Sequence, residues 1–200
     1  MQVKPRLIVG LGNPGAVYAE TRHNAGFWFL DEVARSLGVV FREESRFQGA
    51  VARKDAGADA LVLLKPSTYM NRSGSSVLAA AAYYKIGVDE ILVAHDELDL
   101  APGVVRLKKG GGHGGHNGLR DMVLHLKSPE FYRLRLGIGH PGDKSQVANY
   151  VLDAPSKMEA QDIGQAVDEA MRALTLILSG DYSRAMNELN VRVRERDERG

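Results

Sequence analysis

Short apolar runs alternate with stretches of helical periodicity along this chain. "LIV" at Leu7–Val9 reads as a buried strand, and "GAVARK", "ALVLLKP", "EILVAHDEL", "VVRLKK" and "RLRLGIG" read as further strands bounded by glycine, proline or charge. In "RHNAGFWFLDEVARSLG", Leu30, Val33, Ala34 and Leu37 recur at helical spacing and Gly38 ends the run. "GSSVLAAAAYYKIG" predicts a second helix closed by Gly87, and Leu119, Met122, Val123 and Leu126 give a third one apolar face. Beyond Pro155 two more helices are expected. Ile163, Val167, Met171, Leu174 and Leu178 line the first, Tyr182 to Asn190 forms the second, and the charged tail 191–200 frays. Some neighbouring strands are joined too tightly to be parallel. The pattern therefore predicts one α/β domain over residues 1–200, with a mixed twisted sheet flanked by helices.

Composition narrows the chemistry. The 200 residues include no cysteine, which excludes disulfides, thiolate nucleophiles and Cys-ligated zinc. No apolar run approaches a membrane span, and no signal-peptide core follows "MQVKPR", so a cytoplasmic protein is expected. The net charge of +1 conceals a local imbalance. Between Gly103 and His140, Arg106, Lys108, Lys109, Arg120, Lys127, Arg133 and Arg135 face only Asp121 and Glu130. Such a stretch suits an anionic partner, though it also suits a solvated face.

"GLGNPG" carries the spacing of a dinucleotide-binding fingerprint and fails its physics. The third glycine, Gly15, does not open a helix, Pro14 removes an N–H from the turn, and Asp31 and Glu32 fall inside a helix. "GIGHPGDKS" resembles a phosphate loop, but Asp143 stands where phosphate would sit, and no G-x-S-x-G elbow exists. His113 and His116 are three apart in a glycine loop, a poor arrangement for a metal. What remains is a set of polar residues at element ends: Asn13, His23, Asn24, Asn71, Asp96 and Asn117. A histidine oriented by an aspartate is a general-base pair, water is the simplest nucleophile, and asparagines suit recognition of a carbonyl or an oxyanion. Plainer roles stay open for each: Asn13 as a turn residue, Asn117 as a helix cap, Asp96 as a turn residue, Tyr18 and Tyr69 as packing.

Four longer segments, "GLGNPGAVYAETRHNAGF", "KPSTYMNRSG", "ILVAHDELDLAPGVVRLKKGGGHGGHNGLRD" and "RLRLGIGHPG", resemble bacterial-type peptidyl-tRNA hydrolases in the same order, from about Leu7 to Leu152. The resemblance implies hydrolysis of the ester between a peptide and the terminal ribose of tRNA. It implies His23 as general base, Asp96 holding it, and Asn13 distinguishing a blocked from a free amino group, by accepting from an amide or donating to one. Tyr18, Tyr69, Asn71 and Asn117 then contact substrate, with Met70 walling the cleft. Arg106, Lys108 and Arg135 are the expected phosphate contacts, with His116 a weaker one. The implied protein is a monomer acting on peptidyl-tRNA without metal or organic cofactor. Two other readings compete: a non-catalytic RNA-binding member of the same fold, and a metal-dependent hydrolase built on His113 and His116.

Overall fold

The computed structural model describes residues 2–54 and 60–197, with side chains through Leu189. Seven strands, β1 (Leu7–Gly10), β2 (Arg42–Glu44), β3 (Gly49–Lys54), β4 (Leu61–Pro66), β5 (Ile91–Glu97), β6 (Val105–Lys109) and β7 (Tyr132–Gly137), form one sheet in the order β2-β3-β4-β1-β5-β7-β6. The central strands β4, β1, β5 and β7 are parallel, while β2, β3 and β6 run antiparallel to a neighbour. Both faces are covered, which explains why Leu7, Ile8 and Val9 are all apolar rather than alternating. Ile8 faces one core with Phe29, Leu30, Leu134, Leu136 and Ile163; Leu7 and Val9 face the other with Val77, Leu119 and Met122.

The helices are α1 (Ala25–Leu37), α2 (Ser73–Tyr84), α3 (Asn117–Leu126), α4 (Val147–Leu152), α5 (Lys157–Arg172), α6 (Leu174–Ser179) and α7 (Tyr182–Asp197). Gly38 ends α1 in the left-handed conformation, as its position suggested. At α2 the expectation fails: Lys85, at φ 54°, takes the left-handed position, and Gly87 lies outside with ordinary φ. The Ile86 N–H bonds to the Ala81 carbonyl and its side chain enters the core, so packing just past the helix end selects the terminus. The helix expected after Pro155 breaks at Ala173, after which Ile177 rather than Leu178 is fully buried. The backbone of α7 continues to Asp197, and the end of the expected tail lies outside the described residues.

Strands β5 and β6 flank a Pro-Gly turn yet are not neighbours, because β7 lies between them. The connection passes over the end of β7, where the Gly137 N–H donates to Val104 O and the Gly139 N–H to Leu100 O. A side chain at Gly137 would lie 2.1 Å from Ala101 O, so this crossing needs glycine.

The same logic explains the first glycines. A Cβ on Gly10 would lie 2.5 Å from Gly26 O, and one on Gly26 would lie 2.3 Å from Ala94 O and 2.7 Å from the backbone of Leu11. Gly10 and Gly26 thus let the start of α1 lie directly on β1 and β5. Replacing Gly26 with Ala forces backbone apart where no side chain can yield, and should cost at least the ~1–3 kcal/mol of core overpacking. Urea unfolding measures this; an unchanged midpoint would contradict the close approach.

Candidate active site

The sheet's carboxyl ends gather most of the polar residues singled out in the sequence. Asp96 comes from the end of β5 and is 2% exposed. His23 lies in a single 3-10 turn, 22–24, immediately before α1 and is 7% exposed. Its Nδ1 stands 2.9 Å from Asp96 Oδ2 and 3.0 Å from Oδ1. A carboxylate only accepts, so Nδ1 carries the hydrogen and Nε2 keeps its lone pair.

His116 completes the arrangement in a way that its spacing from His113 did not reveal. It is the cap of α3, where its Nδ1 accepts from the N–H groups of Gly118 (3.1 Å) and Leu119 (3.3 Å). That leaves the hydrogen on Nε2, which donates to Asp96 Oδ1 at 2.8 Å. Both ring nitrogens of the residue expected as a weaker phosphate contact are therefore engaged within the protein. His113 is separate from this array and accepts the Gly115 N–H. Among the described residues, His23, Asp96 and His116 are the group whose ligand atoms lie close enough for a metal. A metal taking the His116 Nε2 position would have to displace its hydrogen while Nδ1 still accepts two N–H bonds. The donor pattern fits a proton-orienting site better than a metal site.

Electrostatics follow from this geometry. Burial raises the Asp96 affinity for a proton, but the two histidines outweigh it and hold the carboxyl well below the usual carboxylate range. Burial disfavours charge on His23 as well, yet the Asp96 carboxylate prevails and raises its pKa above the ordinary 6.5. His95 behaves oppositely: burial first, then His116, pushes it down to about 3, so its buried ring stays neutral.

Asn13 is buried and is locked by Asn24, the residue after His23. The Asn13 N–H donates to Asn24 Oδ1 (2.8 Å) and Asn24 Nδ2 donates to Asn13 O (2.9 Å), a pairing the sequence did not single out. The Asn13 Oδ1 accepts the Met70 N–H at 2.8 Å. One acceptor position of its oxygen is thus used, and its Nδ2 is the group without a protein partner among the described residues. Met70 is buried, and its Sδ would lie 2.6 Å from a Cβ on Gly118, so α3 rests directly on the 70–72 turn. Asn71 and Asn117 are exposed; Asn117 is the first residue of α3 rather than its cap, and its Oδ1 accepts from Arg120. Tyr69 is 61% exposed and meets Tyr18 edge to face at 6.5 Å.

The basic stretch is partly inside the protein. Arg133 is 1% exposed, and its guanidinium donates to the carbonyls of Gly111, Gly112 and Pro129, pinning the glycine loop that leads to His116. Arg106 lies opposite Arg135, and Lys108 opposite Arg133, so four cations share one face of the β6–β7 pair. Arg135 is paired with Glu97, while Arg106 and Lys108 make no ion pair among the described residues. Burial, then Arg135 and Arg133, lowers the Lys108 pKa. Residues of this face line a small cavity of about 90 Å³ with His95, Glu97 and Asp99.

Known proteins share this arrangement of fold and sequence. The peptidyl-tRNA hydrolase family profile matches residues 7–198. A peptidyl-tRNA hydrolase from Nitrosomonas europaea is 53% identical over 192 residues, covering 96% of this chain and 98% of its own. One from Edwardsiella ictaluri is 55% identical over 186 residues, covering 92% of this chain and 95% of its own. The crystal structure of peptidyl-tRNA hydrolase from Acinetobacter baumannii superimposes with a TM-score of 0.90 at 48% identity, covering 95% of this chain and 96% of that one.

The charge coupling at the dyad has a direct consequence. His23 should titrate above 6.5 in the intact protein. In Asp96→Asn the opposing burial is left unbalanced, and the same ring should titrate below 6.5. NMR titration of the imidazole measures both. A His23 pKa that does not fall on Asp96→Asn would contradict the coupling.

Proposed function

This chain belongs to the peptidyl-tRNA hydrolase family and is a carboxylic-ester hydrolase, and from that premise we propose that His23 is the general base of its reaction. One observation carries the assignment: His23 donates from Nδ1 to a buried carboxylate and so presents a bare Nε2. That nitrogen deprotonates a water, which attacks the ester carbonyl joining the peptide to the terminal ribose of tRNA. The tetrahedral adduct then collapses with cleavage of the bond to the ribose oxygen, which takes the proton back from the His23 imidazolium. Asp96 holds the tautomer and stabilises the imidazolium that forms. His116 is a positioning residue: its Nε2–H fixes the second side of the Asp96 carboxylate while its ring caps α3. The exposed Asn71 amide donates to the developing oxyanion, and Asn117, Tyr18 and Tyr69 meet the substrate around it.

Asn13 supplies selectivity by donating. With Oδ1 held by Met70, it offers Nδ2–H to the carbonyl that blocks the substrate's amino group. A free aminoacyl-tRNA presents an ammonium, which has donors and no acceptor, so it meets Nδ2–H without forming a bond and loses hydration.

The cation face of β6–β7 takes tRNA phosphates. Four like charges on one face repel each other, and a polyanion relieves that repulsion without reading sequence. Arg106 and Lys108, which make no ion pair among the described residues, are the principal contacts, with Arg135 shared between Glu97 and phosphate. A peptidyl-tRNA substrate supports a role beside the translation machinery in the cytoplasm, clearing peptidyl-tRNA left by aborted synthesis. Among the described residues no helix is long and apolar enough to cross a membrane. A purely RNA-binding role would leave the His23–Asp96 pair without a task.

Parallel measurements of kcat/KM on N-acetylated and unblocked aminoacyl-tRNA test these roles. His23→Ala should lose about 10²–10⁴ in kcat with little change in substrate affinity. Asn13→Asp keeps an oxygen for Met70 and places negative charge where Nδ2 stood. It should lower activity on the blocked ester and narrow the preference for it by about tenfold. Near-normal turnover in His23→Ala would refute the base, and an unchanged ratio in Asn13→Asp would return Asn13 to a turn residue.

A further inference from the structure

Beside the Asn13 turn lies an open hollow of about 310 Å³. Phe27 and Phe41 form its apolar surface, Pro14 and Gly15 one wall, and Pro66 and Ser67 another, with Ala50 beneath. Its two charged groups are already satisfied. Lys65 pairs with Asp31 at 2.6 Å and lies over the Phe41 ring at 4.4 Å, and the Glu43 carboxylate accepts the Ser67 hydroxyl at 3.0 Å. The two rings favour an apolar ligand, and the exposed Glu43 carboxylate disfavours an anionic one.

The hollow borders the same turn that carries Asn13. A Cβ on Gly12 would stand 2.8 Å from the Phe27 ring, so this ring supports the turn that presents Asn13 as well as forming the hollow. Pro14 and Gly15, the next residues, are its wall. The segment forming the other wall, Pro66 and Ser67, runs on to Met70, whose N–H is held by Asn13.

From this we infer that the hollow is a subsite for one side chain of the nascent peptide, that of the residue preceding the esterified one, and that it favours aromatic or large aliphatic groups. The inference rests on the role proposed for Asn13. The carbonyl that Asn13 Nδ2 contacts belongs to that preceding residue, whose side chain branches from the adjoining Cα. One residue of extended chain spans only ~3.3–3.6 Å, so this side chain falls beside the turn, where Pro14 begins the hollow. An N-acetylated aminoacyl-tRNA has only a methyl group at this point and leaves the subsite empty.

Three esters with the same leaving group test the idea: acetyl-Phe-Ala-tRNA, acetyl-Gly-Ala-tRNA and acetyl-Asp-Ala-tRNA. In the unsubstituted protein the Phe ester should exceed the Gly ester in kcat/KM by about tenfold, and Asp should gain nothing over Gly. Ala50→Leu fills the hollow and Phe41→Ser removes its apolar surface, so each should bring the Phe:Gly ratio towards one. Because the ratio is taken within each protein, a general loss of stability does not move it. Equal rates for Phe and Gly, a preference for Asp, or a ratio that both substitutions leave intact would overturn the subsite. Hydrolysis of none of these esters, nor of acetyl-Ala-tRNA, by the unsubstituted protein would instead refute the proposed reaction, and the subsite with it.

Discussion

A carboxylate buried at the end of a central strand sets the terms for the rest of this molecule. Taking Asp96 out of water costs several kcal/mol unless hydrogen bonds and opposite charge replace its hydration. Here two imidazole N–H groups do so, one from the turn before α1 and one from the first residue before α3. Three elements distant in sequence are thereby joined at a single side chain. The joint works only if α1 and α3 can start close to the sheet. Gly10 and Gly26 allow this on one side, and Gly118, against Met70 and Leu11, on the other. The glycines around "GLGNPG" thus serve close packing and one positive-φ turn at Gly15, and Asn13 is what that turn delivers.

The second constraint is electrostatic. Arg106, Lys108, Arg133 and Arg135 occupy facing positions on an edge of the sheet, where like charges are unfavourable. Arg133 is relieved from within by three loop carbonyls and Arg135 by Glu97, which leaves Arg106 and Lys108 as the charges open to a partner. Two functions are therefore mixed in one basic run: holding the glycine loop in place, and attracting a polyanion. The buried arginine connects them, since the loop it pins leads into His116 and hence to Asp96.

Much of this was legible in the sequence because it follows local rules. Strand runs, the Gly38 terminus and the late start of α1 all depend on neighbouring residues, and each appears as expected. His23 and Asp96 are recognisable as a pair, and the structure brings them together. Non-local features were not legible. Nothing in "RLRLG" distinguishes the buried Arg133 from the half-buried Arg135, because burial depends on which loop crosses the strand. The order β5-β7-β6 depends on Gly137 accommodating a crossing backbone, although the glycine itself was visible. The short β2 carries "REE", with no apolar residue to mark it. The Met70 bond to Asn13 Oδ1 joins residues 57 apart, and it fixes the orientation of the Asn13 amide.

The central claim is that Asp96 fixes opposite tautomers on two histidines, leaving a lone pair facing substrate on one and none on the other. Nitrogen-15 shifts and two-bond couplings of the imidazole rings measure this directly, above the pH at which His23 is protonated. The account predicts that His23 carries its hydrogen on Nδ1 and His116 on Nε2. A His23 ring protonated at Nε2 and bare at Nδ1 would contradict it, because the nitrogen assigned as base would then have no lone pair to offer.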